Sequence, residues 1–304
     1  MINYLKREEI DESKWNRCVE LSASNLPYGF TWYLDCVSEH WGGLVKEDYE
    51  AVFPLVWRKR LFIHYLYQPF FTQQLGIFSG RESDENLLTS MLDAIPARFR
   101  FIEVNLNYLN QVKHGGFEII PRTNLCLDLN HSYDKLFHNY HDNARRNVHK
   151  AEKNRLRARS DFHPEIITEF FKANTGNKIP ELGEYHYGHL RELMNETLQR
   201  KAGNAMGVFD EKDNLMAAGF FIITEKRIIN LLPSIDDEGK EIGAGFYLID
   251  HLIRQHAGSQ KVLDFEGSMI PSIARFYKSF GAQEQTYWRL RRNNLPWFAK
   301  WMKE

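Results

Sequence analysis

Apolar and charged blocks alternate through the second half of the chain. Residues 205–209, 215–223 and 228–235 are apolar runs of strand length, separated by the charged segments 210–214 and 224–227, which predicts an antiparallel three-strand meander. Residues 236–239 read as the loop that follows. Phe246, Ile249, Leu252 and Ile253 then recur at the spacing of one helix face. Residues 261–266 read as another strand, and 271–280 as a helix that stops at Gly281. The predicted order is β-β-β-α-β-α with a terminal β segment. This is an α/β chain of the α+β type, a mixed and mostly antiparallel sheet flanked by helices.

The first half repeats this pattern in weaker form. The segments 44–54 and 61–66 match 208–232 in their succession of apolar runs and charged turns, with Ala51 opposite Ala217 and Ile63 opposite Ile229, at an offset near 160 residues. A helical segment at 86–95 precedes the apolar 101–105, just as a helix precedes 262–266. A repeat this long predicts two duplicated domains rather than a solenoid. Between the copies, Leu136, Phe137, Tyr140, Ala144, Val148 and Ala151 follow helical spacing, and Arg145, Arg146, Lys150 and Lys153 lie off that stripe. Arg155, Arg157 and Arg159 extend the charge, and Glu152 alone opposes it along the sequence. The expected division is a degenerate N-terminal domain at 1–132, a basic interdomain helix at 133–160 and a C-terminal domain at 161–304.

Composition narrows the class. The chain has 304 residues, enough for one large or two modest cores, and 43% hydrophobic residues with 14% aromatics mark a well-packed globular protein. A net charge of −1 gives no global case for nucleic acid, so any anion site must be local, as along 145–159. No apolar run reaches membrane-spanning length. The opening residues do not resemble a signal peptide, and Cys18, Cys36 and Cys126 lack metal spacing, so a reduced cytoplasm is the expected location.

The densest chemical signal is Lys240-Glu-Ile-Gly-Ala-Gly245 at the mouth of the helix after the meander. Two glycines there let a ligand approach the first backbone N–H groups, where a pyrophosphate is stabilised by the helix dipole. Spaced glycines also serve in turns that bind nothing, and the copy at 79–84 lacks the pair.

These residues carry a family resemblance, strongest over 205–290. The β-β-β-α-β-α order, the Lys240-x-x-Gly243-x-Gly245 motif and Ala274-Arg-Phe-Tyr-Lys-Ser-Phe-Gly281 resemble the GNAT superfamily of acyl-CoA-dependent N-acyltransferases, which usually has Gln or Arg in the first motif position. Asp264-Phe-Glu-Gly-Ser268 with 275–281 resembles the tandem-GNAT branch that includes the Fem-type nonribosomal peptidyltransferases. The resemblance implies an acyl-CoA cosubstrate, acetyl-CoA or longer, held by Lys240, Ile242, Gly243, Ala244 and Gly245. It also implies Tyr277 as the acid that protonates the departing sulfur. Fem-type proteins commonly have a lysine in that position, so the tyrosine favours CoA over aminoacyl-tRNA, while the adjacent Lys278 keeps the second donor open.

Asp264 and Glu266 alternate onto one strand face, and either can take the proton of the acceptor amine; capping the next helix or pairing with Arg275 is the rival task for Glu266. His186, with His189, is a second base option or part of an acceptor-binding loop; a zinc site lacks further ligands. Gln68, Gln73 and Gln74 set amides among aromatics and can line an acceptor pocket or bond to the backbone around Pro69. Arg145, Arg146 and Lys150 are expected to hold an anionic acceptor, an acidic lipid surface or tRNA. The expected protein is an acyltransferase acting on a small-molecule or peptide amine held between its domains, without a metal or an integral membrane segment. The alternatives are an aminoacyl-tRNA-dependent peptidyltransferase and a noncatalytic binding protein of the same fold.

Overall fold

In the computed structural model of the protein, the described residues are 1–80, 85–160, 162–267 and 269–297. They form two compact units, Met1–Arg122 with Thr286–Glu304, and Thr123–Gln285.

In chain order, the first unit contains β1 (Ile2–Lys6), α1 (Glu12–Glu20), α2 (Thr31–Val37), β2 (Trp41–Lys46), β3 (Ala51–Arg60), β4 (Ile63–Leu66), β5 (Phe78–Ser79), α3 (Glu85–Asp93) and β6 (Phe99–Asn105). β1, β2, β3 and β4 pair antiparallel in succession, β5 joins the start of β3, and β6 lies parallel to β4. Leu44, Phe53, Leu55, Leu88, Leu92, Ile102 and Val104 fill the core. Each buried aliphatic side chain of this size contributes roughly 1.5–3 kcal/mol.

The chain continues with β7 (Glu118–Asp128), α4 (Tyr133–His138), α5 (Asp142–Lys153), β8 (Arg157–Arg159), α6 (Pro164–Asn174), α7 (Glu184–Gln199), β9 (Gly203–Phe209), β10 (Leu215–Ile223), β11 (Arg227–Ile235), α8 (Asp237–Ile242), α9 (Ala244–His256), β12 (Val262–Asp264), α10 (Pro271–Lys278) and β13 (Gln283–Asn293). In the second unit β8, β9, β10 and β11 pair antiparallel in succession, β12 is parallel to β11, and the end of β7 is antiparallel to β12. The α/β fold with mostly antiparallel sheets is as expected. Both units repeat the same series: three antiparallel strands, a helix, and a strand parallel to the third.

The boundaries differ from the expected 1–132, 133–160 and 161–304. Arg289–Asn293 of β13 pair with β6, which returns this strand to the first unit, while Cys126–Asp128 of β7 pair with β12. The basic segment is not one helix. α4 ends at His138 with Asn139 as its cap, His141 turns extended with its N–H bonded to Ser279 O, and α5 starts at Asp142. Ala144, Val148 and Ala151 of α5 are buried, as the helical stripe predicts. Residues 157–159 leave the helix altogether because they find a strand partner in β9.

Candidate functional site

The second unit contains a place where two neighbouring parallel strands part. β11 and β12 pair only through Arg227↔Val262, Ile228↔Leu263 and Ile229↔Asp264. β11 runs on to Ile235, whereas Phe265 donates its N–H to Leu125 O on the other side. On the β10 side the register shifts between Phe220↔Leu232 and Phe221↔Asn230, which leaves Leu231 as a bulge residue. A bulge bends the strand and re-aims its side chains.

At the parting point Asn230 Nδ2 donates to the phenol oxygen of Tyr277 at 3.1 Å. Both side chains are buried, at 1% and 5% exposure, and Asn230 Oδ1 has no hydrogen-bond partner among the described residues. A buried amide oxygen without a donor is costly, by about 1–3 kcal/mol. Phe265 stacks on the tyrosine ring at 4.4 Å and 23°. Burial, with a smaller contribution from the Glu266 carboxylate, holds the phenol well above its ordinary value. The Tyr277 phenol therefore stays neutral throughout the range in which amines lose their proton. α10 buries Tyr277 on its inner face, while Ile273 on the same helix is 39% exposed.

Asp264 is the innermost carboxylate. Its Oδ2 accepts from Arg227 Nη1 at 2.7 Å, and its Oδ1 accepts from Asn124 Nδ2 and the Glu266 N–H, each at 2.9 Å. At 0% exposure it organises the strand end and is engaged by its own protein. Strand alternation does not carry through to Glu266, because β12 ends at Asp264 and Glu266 and Gly267 turn at φ of 54° and 58°. Glu266 thus leaves the Asp264 face and sits in the loop near the phenol. Ser268 lies outside the described residues. Cys126 sits beside this ion pair, but burial first and the Asp264 charge second push its thiol up to about 12, which removes it as a nucleophile.

The glycine motif is helical on both sides. Residues 237–239, expected in a loop, open α8, with Asp236 Oδ1 capping the Gly239 N–H at 2.6 Å. Gly243 stands at φ 85° between α8 and α9. A Cβ there would come within 2.6 Å of Asn147 O, and one on Gly245 within 2.3 Å of Ile235 Cδ1. The close approaches these glycines permit are made by the protein's own chain. Tyr247 N–H closes the first turn of α9 on Gly243 O, and the amides of Ala244, Gly245 and Phe246 come before that bond. Ile242 is half-buried and Lys240 is exposed and paired with Asp237 at 2.6 Å.

Asn147 also brings α5 to this junction. Lys150 lies three residues on, along the same face of the helix, and neither Lys150 nor Arg146 has a carboxylate partner among the described residues. Arg145 is turned back to Asp142 at 2.5 Å and His138 O at 2.8 Å. Arg155 pairs with Glu211, and Arg157 and Arg159 with Asp213, so the positive field shrinks to the middle of α5.

The remaining candidates lie elsewhere. His186 is on the first turn of α7, not in a loop, where its Nδ1 accepts from the Gly183 N–H at 3.1 Å. His189 follows one turn later, with Tyr185 against both rings. In the first unit Gln68 donates to Thr72 O at 2.7 Å and accepts from the Asn105 N–H at 2.9 Å, and Gln74 donates through Nε2 to Gln73 Oε1 at 2.6 Å and accepts from the Tyr108 N–H at 2.8 Å. These amides staple the loop, the backbone task weighed against a pocket. Asn230, Arg227 and Asn124 were not singled out by sequence. Asn230 carried a signal, as an amide in the middle of an apolar strand run; Arg227 did not, since its partner is 37 residues away.

No family model and no curated protein matches the sequence. Solved structures do resemble it. FemX superposes with a TM-score of 0.69 over 94% of this chain and 96% of its own, at 11% identity. A tandem GNAT protein from the clavulanic acid biosynthesis pathway, solved without AcCoA, gives 0.55 over 97% and 99% at 11%. L-PGS from Bacillus licheniformis gives 0.55 over 96% and 95% at 11%. The chain has a tandem GNAT-like, Fem-related fold; at this identity the likeness is one of fold.

Proposed function

We propose that this protein is an N-acyltransferase that moves an acyl group from acyl-CoA, acetyl-CoA or longer, to a small-molecule or peptide amine. The observation that carries this reading is the buried, neutral Tyr277 phenol beside Asn230 where β11 and β12 part. The unpaired edge of β11 beyond Ile229 and the orphaned Asn230 Oδ1 supply acceptors and donors for an extended amide-bearing ligand. The start of α9 and the cations Lys150 and Arg146 suit its phosphates.

The chemistry balances without a metal. The neutral amine attacks the thioester carbonyl, the tetrahedral adduct expels the thiolate as the C–S bond breaks, and the Tyr277 O–H gives the sulfur its proton. The nitrogen's surplus proton leaves through Glu266 or water and restores the phenol. A positioned acid contributes on the order of 10² to 10⁴ in rate.

A second donor, aminoacyl-tRNA, is favoured by one observation, Arg146 and Lys150 near the glycine junction without a carboxylate partner among the described residues, which suit a nucleic-acid phosphate as well as that of CoA. Thermal melting with acetyl-CoA, longer acyl-CoAs, free CoA and aminoacyl-tRNA separates these readings, since a ligand of the native state raises Tm. Stabilisation by acyl-CoA with release of free thiol in the presence of amines supports the proposal. Stabilisation by aminoacyl-tRNA alone moves the donor, and acyl-CoA binding without turnover leaves a noncatalytic binder.

A further inference from the structure

The β3–β4 hairpin of the first unit ends in a two-residue turn. Arg58↔Tyr65, Lys59↔His64 and Arg60↔Ile63 pair across it, leaving Leu61 and Phe62 at the tip. Both have positive φ, 46° and 67°. Turns of this hand favour Asn-Gly, because a side chain in the left-handed region crowds its own backbone. Burial offers no compensation: Leu61 is 66% exposed and Phe62 89%. Two large apolar side chains are thus held in solvent, at positions where the backbone prefers neither.

Their surroundings are cationic. Arg58, Lys59 and Arg60 run up to the tip, and none pairs with a carboxylate among the described residues. Arg58 lies over the Tyr67 ring at 4.4 Å and Lys59 Nζ over Phe62 at 5.7 Å, so the charges flank the tip. Half-buried Trp57, Tyr65 and Tyr67 stand at the base of the hairpin.

We propose that this tip is a membrane-surface contact, in which Leu61 and Phe62 enter the headgroup–acyl boundary of an anionic bilayer and Arg58, Lys59 and Arg60 meet the lipid phosphates. Charge complementarity selects the partner, since lone cations beside an apolar wedge match an anionic interface. Area selects it too: two side chains fall far short of the roughly 800 Å² per partner of a stable protein interface. A lipid surface accepts a wedge of that size, and tyrosine and tryptophan at its base suit the interface. The proposal stands apart from the transferase reading and places the first unit at a membrane surface without a spanning helix.

The full chain should be sedimented with vesicles of phosphatidylcholine alone and of phosphatidylcholine with phosphatidylglycerol, at low and high salt. Partition onto the anionic vesicles, weakening with salt, is expected. Leu61→Asn with Phe62→Gly supplies the residues the turn prefers, so the variant should melt at the same temperature or higher while its partition falls on the order of tenfold or more. Replacing Arg58, Lys59 and Arg60 with Gln should abolish the preference for anionic lipid. The proposal is overturned if the unaltered protein ignores anionic vesicles at low salt, or if the turn variant partitions as well as the parent. It is equally overturned if the parent self-associates with rising concentration and the turn variant does not, which would assign the tip to a second copy of the chain.

Discussion

Arg227 and Asp264 form an ion pair at 2.7 Å with side-chain exposures of 5% and 0%, joining the first residue of β11 to the last of β12. The pair holds together the only stretch over which these two strands are bonded, and so fixes the point at which they separate. Charges this deep cost much to desolvate, and the attraction offsets that cost only while both partners remain and their other lone pairs are filled.

Asp264→Ala should therefore break the buried ion pair with Arg227 and destabilise the protein by about 3–5 kcal/mol. Denaturant unfolding measures this. A loss within the range of an exposed pair, under about 1 kcal/mol, would show that water reaches the arginine.

Gly243 and Gly258 offer a paired test of the glycine junction. Both have positive φ, 85° and 78°, but a Cβ on Gly258 meets nothing within 4 Å, whereas one on Gly243 meets Asn147 O at 2.6 Å. Gly258→Ala should cost only the conformational strain, about 1–2 kcal/mol, and Gly243→Ala distinctly more. Melting curves of the two variants decide. Ligand affinities of the Gly243 variant have to be read against this loss, since its clash is with α5 as well as with any phosphate.

Asp250 gives a pH signature. It is buried on α9, where the Tyr133 and Tyr140 hydroxyls donate to it at 2.9 and 3.1 Å, Arg254 approaches at 3.5 Å and Glu152 adds a like charge. Burial is the largest influence and raises its carboxyl above the ordinary value. A raised folded-state value means stability that is present at low pH and is lost as pH climbs through that value. Asp250→Asn keeps an acceptor for both tyrosines and removes the charge, so it should melt higher than the parent at pH 7 to 8. The advantage should vanish below the usual carboxylate range. Equal melting at both ends would mean that Arg254 neutralises the carboxylate fully.

Much of the second unit was legible because its strands and helices are amphipathic or uniformly apolar over their whole length. The meander, α9 and α10 appear where periodicity puts them. What escaped depends on partners distant in sequence. Residues 155–159 read as helix and as unopposed charge, yet 157–159 pair with β9 and their arginines with Glu211 and Asp213, about fifty positions on. His186 read as a loop residue because Gly183 and the aromatics around it mask the α7 stripe of Tyr187, Leu190, Leu193 and Met194. Of the candidate site, Tyr277 and Glu266 are near one another, Asp264 is beside them but engaged, and Gln68, Gln73 and Gln74 belong to the other unit. The parting of β11 and β12 is a property of pairing, which no single strand's sequence records.

Among the described residues, Arg146, Lys150 and Lys153 of α5 have no carboxylate partner, whereas Arg145 is paired with Asp142. Replacing Arg146 and Lys150 with Ala should weaken binding of acyl-CoA or tRNA and flatten its salt dependence, while Arg145→Ala should do so less. Titrations at several salt concentrations check this; identical slopes in all variants would make the helix a solvated face.

The central claim is that Tyr277 gives its proton to a leaving group. The direct measurement is thiol release from acyl-CoA by Tyr277→Phe beside the parent, across a pH series with an amine acceptor present, together with the acyl-CoA affinity of both proteins. The account predicts a fall in kcat on the order of 10² to 10⁴ with affinity nearly unchanged, because the ring that packs on Phe265 is kept and only the donor is lost. A variant that turns over at the parent's rate at every pH, with folding intact and chemistry rate-limiting, would contradict it and leave Tyr277 as a packing residue.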